Sequence, residues 1–197
     1  MHGFIEGITA LFFLLTVAHA LWLRRSEGAW LMGSLLVLGA VRENFVILRQ
    51  VLYGFAPLSL MLGRAPVIAA VIWGYSIYIA LIWAEEVGGE KLGERASPRL
   101  LTLVGLFMVA LVGFYEPFLE LIGMARWQEG TRSTAGVPWI ALIGYPALAC
   151  PFLVLWSWVR RRFPHSRSRF LALAIALPLL ALMHAEGLQR LKDWLGW

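Results

Sequence analysis

Six apolar blocks, each long enough to cross a bilayer, divide the chain. They run from Phe4 to Leu23, about Ala29 to Leu48, about Pro66 to Ala84, Leu100 to about Ala125, about Val137 to Val159, and about Phe170 to Ala185. The last is short, and its end falls nearer Leu188. None shows the alternating polarity of an outer-membrane strand. A helix crossing ~30 Å of hydrocarbon needs about 20 residues, so the blocks predict an all-α integral membrane protein: a bundle of about six transmembrane helices in a single polytopic domain over residues 1–197. The first block ends at Arg24-Arg25 with no positive residue before it and no small-residue cleavage site. It reads as a retained helix and not as a signal peptide. No internal repeat, linker or low-complexity segment is evident.

Composition agrees. Hydrophobic residues make up 60% of the chain and charged residues 15%, and mean hydropathy is +0.73, against roughly half and a quarter in soluble domains. The net charge of +5 would suggest nucleic acid in a soluble protein. Here it is expected to be loop Lys and Arg facing anionic lipid, with membrane lipid as partner and no nucleic acid. The turns after blocks one, three and five hold ten basic residues, from Arg24 to Arg169. The opposite side holds six: Arg49, Arg64, Arg126, Arg132, Arg190 and Lys192. The positive-inside rule makes the richer side cytoplasmic. The expected location is the inner membrane, with both termini periplasmic or exoplasmic. A lone cysteine, Cys150, excludes an internal disulfide and any multi-cysteine metal site.

The stretch Gln50 to Ala65 is apolar and aromatic, with Pro57 and two glycines. It is expected to lie in the interface or re-enter the membrane, where irregular backbone needs protein or water around it. Ionisable groups at membrane depth are expensive and mark candidate sites. Arg42-Glu43-Asn44 forms the densest cluster, with Arg49 seven residues beyond Arg42 on nearly the same helical face. Tyr115-Glu116-Pro117 with Glu120 forms the second, and Pro117 frees the carbonyl of Gly113. Glu116 and Glu120 share a helical face by spacing. Both clusters fall at one side of the bundle, where two carboxylates brought together would have their proton affinities pushed apart. A buried ion pair locking helix 2 to a neighbour reads the same residues without chemistry. Glu85 and Glu86, at the other end of helix 3, read as solvated cap charges. His19 and His184 both read as lying near the cytoplasmic face, where they could ligate a haem, although any two histidines match that pattern. Trp73 and Trp127 are placed to line a pocket. Nucleophile elbows, phosphate-binding loops, dinucleotide fingerprints and metal-spaced histidines are all missing from the sequence.

Two stretches resemble the carotenoid biosynthesis membrane-protein family that includes bacterioruberin-type and 1′,2′ carotenoid hydratases. One holds Tyr115-Glu116-Pro117, Gly123, Arg126-Trp127, Gly136-Val137-Pro138 and Gly144-Tyr145. The other holds Gly39, Glu43, Tyr53-Gly54-Phe55, Pro66 and Trp73. Together they cover roughly residues 39 to 145. The chain departs from the family at Ala125, Ala141, Tyr145 and around Arg49. The resemblance implies a hydratase that adds water to the terminal double bond of an acyclic carotenoid or other isoprenoid. A buried carboxylic acid, Glu43 or Glu116, would protonate the alkene. Asn44 would hold the water, while Trp73, Tyr115 and Trp127 would face the tertiary cation. Arg42, Arg49, Tyr53 and Glu120 complete the expected substrate-binding set. That chemistry requires no metal or redox cofactor. The rival expectation is a non-catalytic carotenoid- or lipid-binding subunit of a larger photosynthetic or respiratory membrane complex.

Overall fold

A computed structural model describes residues 2–48, 53–55, 60–93, 95–128 and 131–196. The helices are α1 (His2–Arg24), α2 (Ser26–Leu48), α3 (Val67–Gly88), α4 (Pro98–Leu121), α5 (Trp139–Arg162) and α6 (Ser166–Leu195). All six are long and apolar enough to cross a membrane, with spans of 22 to 30 residues. At 1.5 Å per residue even the shortest reaches about 33 Å, so the chain is a multi-pass all-α bundle. α2, α3, α4, α5 and α6 form a closed ring of neighbours, with α6 returning to α2, and α1 lies outside against α2 and α3. Three short connections, at Arg25, around Gly89–Ser97 and at Phe163–His165, lie at one end of the bundle. The long connections lie at the other, which we term the loop end.

The long connections carry six short strands: β1 (Tyr53–Phe55), β2 (Met61–Leu62), β3 (Ala65–Pro66), β4 (Ala125–Trp127), β5 (Ser133–Thr134) and β6 (Val137–Pro138). β2 with β3 and β5 with β6 form tight hairpins, while β1 pairs antiparallel with β4 of the other connection. The stretch expected to lie in the interface or re-enter the membrane is tied, where it is described, to a second loop. Its residues 49–52 and 56–59 lie outside the described residues. Ala135 and Gly136 turn the second hairpin with φ of 52° and 76°, the doubly left-handed conformation of a type I′ turn.

These elements correct the expectation of no internal repeat. α2 and α4 begin at residues 26 and 98, the hairpins at 61 and 133, and α3 and α5 at 67 and 139, each time 72 residues apart. The central β1–β4 pair, Gly54 with Arg126, has the same spacing, and its flanking pairs, Tyr53 with Trp127 and Phe55 with Ala125, interchange under a two-fold rotation. Trp73 and Tyr145, again 72 apart, stack at 4.4 Å between ring centroids. The chain is a duplicated helix–hairpin–helix unit about a local two-fold axis. α6 breaks the symmetry by standing between α5 and α2, whereas α3 packs directly on α4. In sequence the repeat survives mainly as Pro66-Val67-Ile68-Ala69 and Pro138-Trp139-Ile140-Ala141.

Candidate functional site

Beside the stacked Trp73 and Tyr145 lies the densest buried polar network among the described residues. Glu43 enters from the last turns of α2, where a side chain must stay inside the ring or face hydrocarbon. It is 1% exposed. One of its oxygens accepts from the Arg42 guanidinium at 2.6 Å and from the Trp73 indole N–H. The Tyr53 hydroxyl lies 2.9 and 2.8 Å from its two oxygens. Arg42, 3% exposed, also donates to the Tyr53 oxygen. Its guanidinium carbon sits 5.0 Å from the Trp73 ring centroid and 5.6 Å from that of Tyr53, within reach of cation–π attraction. Burial pushes the Tyr53 phenol well up, against the pull of Arg42, so the hydroxyl remains a donor.

Glu116 lies on α4 one residue beyond Tyr115, the position 72 residues after Glu43, and is 4% exposed. Its oxygens accept from the Tyr145 hydroxyl at 2.7 Å and the Trp127 indole N–H at 2.8 Å. Each glutamate is thus held by one tyrosine and one tryptophan. The difference is the cation: Glu43 is ion-paired to Arg42, whereas both hydrogen-bond partners of Glu116 are neutral. The aromatic partners pack across the axis, Trp73 on Tyr145 and Tyr53 edge-on to Trp127 at 4.9 Å. Glu43, Glu116, Tyr53, Trp73 and Tyr145, with apolar walls from Ile72 and Leu119, line a small pocket of about 20 Å³. A water needs about 10–15 Å³ measured in this way, so the space admits one water in a pocket that both carboxyl groups line.

Of the residues expected here, Arg42, Glu43, Tyr53, Trp73, Glu116 and Trp127 come together. α2 and α4 are not a closely packed pair; their glutamates meet through residues supplied by α3, α5 and the β1–β4 strands. Asn44 is directed elsewhere, which corrects the expectation that it holds the reacting water. Its amide donates to Leu62 and Ala40 carbonyls and accepts from Arg64 N–H, all at 2.9 Å, so it locks the first hairpin to α2. Tyr115 also lies outside the cavity, packed against Tyr75 at 5.9 Å between centroids. Glu120 is exposed while Glu116 is buried; the shared face expected from their spacing does not place them together. Arg49 lies outside the described residues.

Sequence reading missed Tyr145, which it treated only as a departure from the family. The signal was its 72-residue spacing from Trp73. Two other expectations are corrected. Glu85 is not a solvated cap: it is 1% exposed, ion-paired with Arg24 and accepts from Leu92 N–H at 2.7 Å. Glu86 is the solvated one, reached by Lys91. His184 is not near the short-turn end. It lies deep in α6, 7% exposed, and donates through Nε2 to the Gly144 carbonyl at 2.8 Å, next to Tyr145. His19 bonds Tyr78 near the end of α1, so the two histidines occupy opposite ends of the bundle and cannot share a haem.

What the arrangement can do follows from its parts: two unlike carboxylates, space for a water, and aromatic faces on two sides. Such a set can move a proton between a carboxyl group and a bound water. Comparison of the chain with protein-family models, with curated proteins and with solved structures finds no match, so the function of this site has to be argued from its own geometry.

Proposed function

We propose that the site carries out acid-catalysed hydration of a terminal double bond in an acyclic isoprenoid of the carotenoid type. The observation that carries this reading is the meeting of Glu43 and Glu116 at one water-sized cavity walled by Trp73 and Tyr145. Glu116, bonded only by neutral donors, is the acid. It gives its proton to the less substituted alkene carbon, leaving a tertiary cation against the aromatic faces. The water adds its oxygen to that cation, and the proton it sheds returns to the carboxylate pair, restoring Glu116. Glu43, tied to Arg42, stays a carboxylate and stabilises the positive charge. The membrane end with ten basic residues is taken as cytoplasmic, which puts the site in the exoplasmic half of an inner membrane.

A second reading, a non-catalytic carotenoid- or lipid-binding subunit of a membrane complex, is favoured by one observation. Glu43 is saturated by Arg42, Tyr53 and Trp73, as a purely structural lock would be. Expression in cells that accumulate an acyclic carotene separates the two. The enzyme yields a product heavier by one water. Unchanged carotene, with the protein folded in the membrane, refutes hydration and leaves the subunit.

A further inference from the structure

α6 closes the ring by standing against α2, and the seam between them is open on the outside. Ala29, Gly33 and Val37 on α2, with Phe170, Ala174 and Leu177 on α6, line a groove of about 600 Å³ there. A Cβ placed at Gly33 would meet nothing within 4 Å, so the groove is open at its middle. Trp30 and Phe170 also wall a second hollow of about 430 Å³, completed by Ser166, Arg167 and Leu171. The two are therefore continuous, and the second opens at the short-turn end, where α2 and α6 both begin.

Length and charge say what covers this groove. Its walls run from Ser26 to Val37 and from Ser166 to Leu177, each about 16 Å along its helix. That is half of the ~30 Å hydrocarbon core, the depth of one leaflet. Apart from Ser34 the deeper walls are apolar, and Arg167 at the outer end is the one charged lining residue. The neighbouring charges are mostly committed: Glu27 is ion-paired with Arg169 at 2.7 Å, and Arg24 is held by Glu85. Arg25, next to Ser26, and Arg167 are both exposed, and neither has an ion-pair partner among the described residues. Two uncompensated cations at the mouth of an apolar, leaflet-deep groove attract a head group with net negative charge. A zwitterionic head group would bring its ammonium into the same positive field. We propose that the α2–α6 groove is a binding site for an anionic phospholipid of the phosphatidylglycerol type, its phosphodiester against Arg167 and one acyl chain lying along Gly33 and Val37. The inference does not depend on the hydratase reading.

Native mass spectrometry of the detergent-solubilised full chain tests it, with phosphatidylglycerol and phosphatidylcholine of the same acyl chains supplied in equal amounts. In the protein carrying one lipid, phosphatidylglycerol is expected to exceed phosphatidylcholine by about fivefold or more, the worth of one arginine at a lipid head group. Arg167→Gln removes the charge from an exposed side chain and is expected to lower that ratio about fivefold. Gly33→Leu fills the groove while leaving every arginine in place, and is expected to remove the preference as well. Ala174→Leu fills it from α6, so the proposal stays testable if Gly33→Leu fails to fold. Equal occupancy by the two lipids in the wild type overturns the proposal. So does a wild-type ratio in Arg167→Gln, which takes the head group away from that arginine. A wild-type ratio in folded Gly33→Leu or Ala174→Leu overturns it too, because attraction to the basic end would then need no groove.

Discussion

Replacing Glu43 or Glu116 by glutamine should give two different proteins, because of the two only Glu43 is hydrogen-bonded to a cation. Glu43→Gln leaves Arg42, 3% exposed and 2.6 Å away, without its counter-charge. Removing one partner of a buried ion pair costs about 3–5 kcal/mol. Glu116→Gln strands no hydrogen-bonded cation. The amide oxygen still accepts from Trp127, and the Tyr145 hydroxyl, now 2.7 Å from the carboxylate, can turn to accept from the amide N–H. The loss is then one neutral hydrogen bond re-formed in the opposite sense, about 1 kcal/mol. Denaturation of the detergent-solubilised variants, followed by tryptophan fluorescence, should therefore rank Glu43→Gln below Glu116→Gln by about 2–4 kcal/mol. Activity should rank them otherwise. Glu116→Gln, although folded, cannot donate a carboxylic proton and should lose hydration by about 10²- to 10⁴-fold. Equal destabilisation of the two variants would refute the assignment of the ion pair to Glu43 alone. A folded Glu116→Gln protein that still hydrates would refute its role as the acid.

Three further outcomes follow from the geometry. Asn44→Ala should cost about 0.5–1.5 kcal/mol, because a half-buried amide that clamps the Leu62 carbonyl and the Arg64 N–H of the first hairpin to α2 is lost; hydration per folded molecule should persist, and its disappearance would return Asn44 to the chemistry. Gly39→Val should destabilise by at least about 1–3 kcal/mol and lower activity with it, since a Cβ at Gly39 would stand 2.9 Å from the Ala70 oxygen and from the Trp73 Cβ, pushing Trp73 off Glu43; a thermal melt and a turnover assay together read this. A cysteine placed at Ser166 in a Cys150→Ser background should react with an impermeant maleimide only after the membrane is opened, and labelling in intact cells would reverse the orientation.

The number of spans, the end that collects basic residues and the identity of the two glutamates that line the cavity were all legible along the chain. These are properties of hydropathy and of the cost of charge in hydrocarbon, and neither depends on which helix neighbours which. What partners each glutamate was decided by tertiary structure. Tyr53, Trp73, Trp127 and Tyr145 come from two strands and two helices, and they converge because the connections pair through Gly54 and Arg126. The duplication escaped sequence reading for a related reason. Inside a membrane, any apolar side chain of about the right size satisfies a packing position, so residue identities drift while helix and loop lengths hold the 72-residue spacing of the elements. Glu85 and Glu86 show the limit most directly. They are adjacent in sequence, yet the helical rotation between them turns one to Arg24 and the other to solvent, and only the placement of α1 against α3 decides which is buried.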